Sequence, residues 1–372
     1  MLQGGLELRT LPLENVEARR IVELAQTLIR FQNTNPESVN RCADYCSDWL
    51  RAAGLDPRVY EHRGLKSVVA SVGSGSPTIV LNGHLDVVPA QPEHFVPRLE
   101  NGKLYGRGSY DMLGAVACML LLMQDLAQSP PDCTVVLCLV PDEESGGELG
   151  TGFLVEQGWL GDIAICGEPT NLDIAIQSKG ILQIVVEVAG VAAHGSRPWL
   201  GRNAILEAQE HYQTIASLHF FHEESPFLGK ASLNLAKIEA GTAFNQVPDQ
   251  CKMGIDIRYL PDQDPGLLLE VIRKAVPSAE VKVHFQGTPV NTDLENVWVS
   301  KLRKHSGTLF FGQEGSADTR FYAERGMPAV EFGPSGANHH GPGEYADVQS
   351  LCEYKSILKQ FITHVKDEEH EV

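Results

Sequence analysis

The sequence predicts an α/β protein: a mixed, mostly parallel sheet flanked by helices, interrupted by an inserted α+β domain of four antiparallel strands and two helices. Three observations carry this expectation. Short β-rich runs alternate with helical stretches up to residue 178, the pattern of a sheet covered on both faces. From Gly180 the order becomes strand, helix, strand, strand, helix, strand, which suits a compact antiparallel sheet with its helices on one side. After residue 288 the α/β character returns. The predicted division is a catalytic part of 1–178 plus 288–372 and an inserted lid or dimerisation part of 179–287.

The elements follow from spacing. Val16, Ile21, Leu24, Leu28 and Ile29 recur at helical intervals across 14–31, and 42–53 reads as a second helix ended by Gly54. Strands are expected at 67–72 and 78–82, a helix at 112–126, and strands at 134–140 and 163–166. In the inserted part, strands at 181–188, 231–239, 250–258 and 281–286 surround helices at 203–218 and 265–275. A strand at 328–332 and a helix ending near His364 close the chain. Ligands in sheets of the first kind gather at the carboxyl ends of the strands, where His84, Glu143, Glu144 and Glu168 fall.

Composition narrows the setting. Hydrophobic residues make up 43% and charged residues 21%, ordinary proportions for a globular protein. With 30 basic against 48 acidic residues, the net charge of -18 argues against nucleic acid, which needs a basic face. The first residues, Met1-Leu-Gln-Gly-Gly-Leu-Glu-Leu-Arg9, lack the basic stretch and apolar core of a signal peptide, and no apolar run reaches membrane-spanning length. Eight scattered cysteines without paired-ligand spacing read as reduced thiols, so a cytoplasmic location away from the membrane is expected.

The chemistry lies in a handful of motifs. Glu143-Glu144 follows an apolar run and precedes paired glycines, and like charges so close at the mouth of a buried strand call for a cation. His84 and Asp86 point the same way from one strand, so Asp86 can accept the ring N–H that His84 leaves over. Asp111 follows the Gly106-Arg-Gly108 turn at a helix start. Glu168 sits where Pro169 ends sheet pairing. His339 and His340 are both available to close the set.

Taken in order, Leu81-Asn-Gly-His-Leu-Asp86, Gly106-Arg-Gly-Ser-Tyr-Asp-Met112, Asp142-Glu-Glu-Ser-Gly-Gly147, Gly167-Glu-Pro-Thr170 and Ala193-His-Gly-Ser-Arg-Pro198 carry a resemblance. They resemble the acetylornithine deacetylase, succinyl-diaminopimelate desuccinylase and aminoacylase family of dinuclear zinc hydrolases. The likeness starts at Asn33-Thr-Asn-Pro36 and continues through Asn245-Gln-Val-Pro248, Asp256-Ile-Arg258, Gly315-Ser-Ala-Asp-Thr-Arg320 and His340-Gly-Pro-Gly-Glu344. It implies that His84 and Glu168 hold one metal, Glu144 and His340 the other, and that Asp111 bridges them. His340 is preferred to His339 because Glu344 follows it by four positions. The resemblance also implies a cis Asp111–Met112 peptide.

Further expectations rest on the same likeness. Glu143 would be the general base, Asp86 the residue orienting His84, and His194 a donor to the oxyanion reaching the partner subunit's site, which makes a homodimer part of catalysis. Arg258 and Asn245 would recognise the substrate, Arg through its planar fork, and Arg320 would either add to this or form a structural ion pair. Zinc suits the two ions, with cobalt or manganese fitting similar ligands. Domains carrying separate groups imply a hinge near 178–180 and 287–291. Two departures stand out: Leu113-Gly-Ala replaces the usual Lys-Gly-Gly after Asp-Met, and Gly315-Ser-Ala-Asp replaces Gly-Thr-Ser-Asp. The expected activity is removal of an acetyl or succinyl group from an amino acid's amine. A metallo-exopeptidase acting on short peptides is the alternative, and a non-catalytic relative predicts lost ligands, of which none is lost. A dinucleotide-binding enzyme is set aside because no Gly-x-Gly-x-x-Gly follows the first strands.

Overall fold

The computed structural model describes residues 15–366, and the chain divides into two compact units. One comprises the chain up to Ile176, Thr292–Phe310 and the chain from Ala317; the other comprises Gln177–Asn291 and Phe311–Ser316. The crossings therefore fall after Ile176 and Asn291 rather than at 178/179 and 287/288. Residues 311–316 also join the second unit. Gly312 explains why: a Cβ there would stand 2.5 Å from Leu228 and 2.7 Å from the Phe227 carbonyl, so only glycine lets this segment lie so close.

In the first unit, helix α1 (Val16–Ile29) starts where the Asn15 side chain accepts from the Glu17 and Ala18 amides. Helix α2 (Pro36–Ala52) begins six residues earlier than the expected 42, because Asn35 caps the Ser38 amide and Pro36 fills a first-turn position that needs no N–H partner. Strands β1 (Arg58–His62), β2 (Leu65–Gly73) and β3 (Thr78–His84) precede helix α3 (Leu113–Gln128). Then come β4 (Thr134–Val140), β5 (Ile163–Cys166) and β6 (Ile174–Ser178). The sheet runs β1-β2-β4-β3-β5, then the strand Ala329–Glu331, then β6. Parallel pairing joins β4, β3, β5 and Ala329–Glu331; the flanking pairs are antiparallel.

Helix α3 is apolar on every side, and Leu113 through Met123 are all buried, as expected of a helix enclosed by its neighbours. It packs on β2 and β3, with α1 and the last helix, Val348–Thr363, around it. A smaller antiparallel sheet joins Gly336–Ala337, Tyr345–Asp347, Lys103–Tyr105 and Arg98–Glu100. Strands of two or three residues carry no readable alternation, so this sheet escaped the sequence. It sets the loop carrying His339 and His340 beside the Gly106-Arg-Gly108 turn.

The second unit contains β7 (Gly180–Ala189), α4 (Ala204–Ala216), β8 (Ser232–Ala240), β9 (Gln250–Tyr259), α5 (Pro265–Ala275) and β10 (Ala279–Gly287). Its sheet is antiparallel, in the order β8-β9-β7-β10. Leu182, Ile184, Val186 and Val188 alternate inward from β7, meeting Met253, Ile255 and Ile257 under Ala204, Ala208, Leu268 and Ile272 of the helices. All eight cysteines are free thiols, and no helix among the described residues is long and apolar enough to cross a membrane.

A Cβ on Gly180 would stand 2.1 Å from Cζ of fully buried Tyr259, whose hydroxyl donates to the Gly287 carbonyl. Gly180→Ala should therefore destabilise the second unit by about 1–3 kcal/mol, the usual cost of overpacking, read as a lower urea midpoint.

Candidate metal centre

Three adjacent parallel strands deliver the first donors. His84 is the last residue of β3; Glu143 and Glu144 follow the end of β4; Glu168 follows the end of β5. Asp111 enters from the other side, joined to Met112 by a cis peptide immediately before α3. His339 and His340 come from the loop between Gly336–Ala337 and Tyr345–Asp347.

The donors converge on Asp111. Its Oδ1 lies 3.0 Å from His84 Nε2, and its Oδ2 lies 2.9 Å from His340 Nε2 and against His339 Nε2. His340 Nε2 is also 3.0 Å from Glu144 Oε1, and Glu168 Oε1 is 4.0 Å from His84 Nε2. Three groups of residues bring donor atoms close enough to hold a metal: Asp111 with His339 and His340; His84 with Glu143 and Glu168; His84 with Asp111 and Glu144.

The tautomer of His84 shows that a cation fits. Its Nδ1 faces the Asp86 carbonyl oxygen at 2.8 Å, an acceptor only, so Nδ1 carries the hydrogen. A neutral ring would then turn a bare Nε2 lone pair toward Asp111 Oδ1, a second acceptor. Two lone pairs 3.0 Å apart need a proton or a metal ion between them.

This geometry changes the role expected for Asp86. The His84 ring N–H goes to the Asp86 backbone carbonyl, while the carboxylate lies 3.6 Å away. That carboxylate instead accepts from the Glu143 amide at 3.1 Å and the Glu144 amide at 3.0 Å. Asp86 therefore orients His84 through its main chain and the Glu pair through its side chain.

Electrostatics follow from burial. Burial pushes the Glu168 carboxyl well above its ordinary range against the pull of His84, and Glu143 adds to the rise. Glu143 is driven well up by burial and, against His84, by the charges of Asp318, Asp111 and Glu144. Burial also raises Glu144, again against His84. Burial would raise Asp111 too, but hydrogen bonds from His339, His340 and His84 outweigh it and hold the carboxyl well below the usual range. A set with more carboxylates than imidazoles is relieved by divalent charge.

Two supporting residues, Arg107 and Glu344, stand in the sequence motifs without an assigned contact. Arg107, 4% exposed, pairs with Glu344 and donates to the His340 carbonyl at 2.8 Å. The Glu344 Oε1 accepts from the amides of Gly108 (3.0 Å), Tyr110 (3.0 Å) and Asp111 (3.2 Å). One ion pair thus fastens the Asp111 turn to the histidine loop. The signal was an arginine held between two glycines and a glutamate four residues beyond His340. Gly108 has φ +84°, and Leu113 lies 2.8 Å from where its Cβ would stand. Leu113 is accordingly buried packing on that turn, a position where a lysine charge would lack water.

The remaining expected residues divide. Arg320 is buried; its guanidinium donates to the Gly146 carbonyl and lies 2.9 Å from Glu148, with the Phe321 ring 4.2 Å away. These contacts tie it to the loop that follows Glu143 and Glu144. In the second unit His194 and Asn245 come together: Gly195 donates to the Asn245 carbonyl at 2.7 Å, and His194 pairs with Gln246. Both side chains are exposed, and His194 Nδ1 contacts Ser196 Oγ at 2.8 Å. Arg258 is held by Asp256 at 2.7 Å through Nε.

Carboxylates and imidazoles in this proportion, in a crevice at the carboxyl ends of parallel strands, equip a metal-dependent hydrolase. Comparison with known proteins agrees. Residues 80–364 match the model of peptidase family M20/M25/M40, and the chain belongs to that family. It is similar to an acetylornithine deacetylase of Myxococcus xanthus, 33% identical over 86% of this chain and 91% of that one. It is likewise similar to a succinyl-diaminopimelate desuccinylase of Marinobacter nauticus, 26% identical over 92% and 98%. The fold resembles that of aminopeptidase PepT from Bacillus cereus, with TM-score 0.81 and 17% identity over 94% and 98% of the two chains. A dinuclear metal binding peptidase of Bacillus subtilis gives TM-score 0.72 at 15% identity over 94% and 98%.

Glu344→Ala would leave Arg107 buried without its partner and three amides without an acceptor. The expected loss is about 3–5 kcal/mol of stability in denaturant titration, with a drop in metal content by elemental analysis.

Proposed function

We propose that the protein is an N-acyl-amino-acid amidohydrolase that removes an acetyl- or succinyl-class group from the amine of an amino acid. The observation that carries this is the placement of His84 and His340 on opposite oxygens of Asp111, the arrangement a carboxylate shared by two ions requires. The two deacylase relatives, aligned over 86% and 92% of the chain, support the substrate class.

His84 and Glu168 would hold one divalent ion, Glu144 and His340 the other, with Asp111 between; zinc suits both, and cobalt or manganese fits the same donors. When bound, such ions polarise the scissile carbonyl and lower the pKa of water from about 15.7 towards neutrality. Glu143 takes the proton of the attacking water and passes it to the leaving amine. Its half-buried carboxylate, aimed by the Asp86 grip on the backbone, suits both steps. His194 steadies the developing oxyanion from a second copy of the chain, and Arg258 with Asn245 takes the substrate's carboxylate and polar atoms. Arg258 Nη1 makes no hydrogen bond among the described residues.

A homodimer fits the second unit's sheet. Strand β8 lies at its edge and is exposed along nearly its whole length, with Ile238 54% exposed. An unpaired edge of this kind is a template for a second strand. The eight free thiols suit a reducing cytoplasm.

A panel of N-acetyl, N-succinyl and dipeptide substrates tests the reading: acyl amino acids should turn over fastest, whereas preference for dipeptides would assign a metallo-exopeptidase. Chelation should abolish turnover, and zinc or cobalt should restore it. Glu143→Gln should lower kcat by about 10²–10⁴ with metal content retained, and unchanged turnover would remove Glu143 from the base role.

A further inference from the structure

We propose that His339 is itself a metal ligand, joining His340, Glu144 and Asp111 around the second ion, so that the two ions sit in unlike sites. The inference rests on the dinuclear reading above and goes beyond it by making one site one-imidazole (His84) and the other two-imidazole. Zinc or cobalt should then be favoured over manganese at the second site, because imidazole suits the former and carboxylate or water the latter.

Four observations converge. His339 Nε2 and His340 Nε2 both close on the same atom, Asp111 Oδ2, with ring centroids 4.2 Å apart and planes tilted by 57°. Successive side chains of extended backbone point apart. Here Asn338 and His340 adopt φ +61° and +57°, left-handed values that are uncommon for residues other than glycine and that turn both rings to one side. The loop is also fixed from behind: Gly341 donates to the Asn338 carbonyl at 2.8 Å, the Asn338 side chain donates to the Gly343 carbonyl at 3.1 Å, and Arg107 holds the His340 carbonyl. Finally, donor atoms of Asp111, His339 and His340 all lie close enough to one another to hold one ion, and His340 Nε2 is also 3.0 Å from Glu144 Oε1. A half-exposed histidine serving only as surface would gain rotamer freedom by swinging into water; this one is turned inward.

Chelator-stripped protein titrated with zinc, and separately with manganese, by calorimetry tests this without recourse to turnover. Wild type should take up two ions per chain. In His339→Ala the first ion should bind as before, while the second binds at least roughly 10–100-fold more weakly and loses its preference for zinc over manganese. His339→Gln separates ligation from hydrogen bonding: its amide can still donate to Asp111 but is a poor metal ligand, so it should bind as weakly as the alanine variant. Wild-type affinity in His339→Gln overturns the ligand role, as does unchanged affinity in His339→Ala, even if turnover falls. If wild type binds fewer than two ions, the dinuclear reading falls, and this inference with it. The cobalt-loaded forms add a check: loss of an imidazole should alter the visible absorption of the second cobalt, and identical spectra count against the assignment.

Discussion

The site depends on where the Asp111 carboxylate is held. Glu344 collects the amides of Gly108, Tyr110 and Asp111 on one oxygen, and its charge is met by Arg107, whose other nitrogen fastens the histidine loop. With its backbone fixed in this way, Asp111 can present one oxygen to His84 and the other to His340. A carboxylate on a freer turn would lose this two-sided contact, because a shift of about an ångström breaks hydrogen-bond distances. The small antiparallel sheet is what brings the two loops together.

The second constraint is charge. Asp86, Glu143, Glu144 and Glu168 crowd around the ends of three parallel strands, where burial raises each carboxyl. Backbone amides offset part of the cost, as at Asp86, but they cannot supply net positive charge. Divalent ions can, and the acceptor-facing lone pair of His84 marks where one fits. Both members of the Glu pair approach His84, but with different companions: Glu144 with Asp111 and against His340, Glu143 with Glu168.

Much of this was legible in the chain. The alternating runs located every strand of both large sheets except Arg58–His62, Ile174–Ser178 and the short Val290–Asn291 and Phe310–Gln313, and the burial of α3 follows from its unbroken apolar composition. The ordered motifs named His84, Asp111, Glu143, Glu144, Glu168 and His340 before any geometry. Less legible were contacts that depend on main-chain atoms. Asp86 was expected to face His84 with its carboxylate, yet its carbonyl does so, because the chain bends after β3 and no side-chain pattern records where a carbonyl points. Arg320 stays open in sequence between a substrate contact and a structural ion pair, because an exposed and a buried arginine look alike there; the ion-pair partner, Glu148, is 172 positions away.

By itself the sequence determined the fold class and named the candidate donors, since these depend on periodicity and residue type, which are local. Tertiary structure alone decided which donors share an atom. Asp111, Glu144 and the His339–His340 pair are far apart along the chain, and the distances among them are set by strand register and by the Arg107–Glu344 pair. The spacing to Glu344 singled out His340 alone; in the structure, with left-handed turns at Asn338 and His340, both rings reach the same oxygen of Asp111.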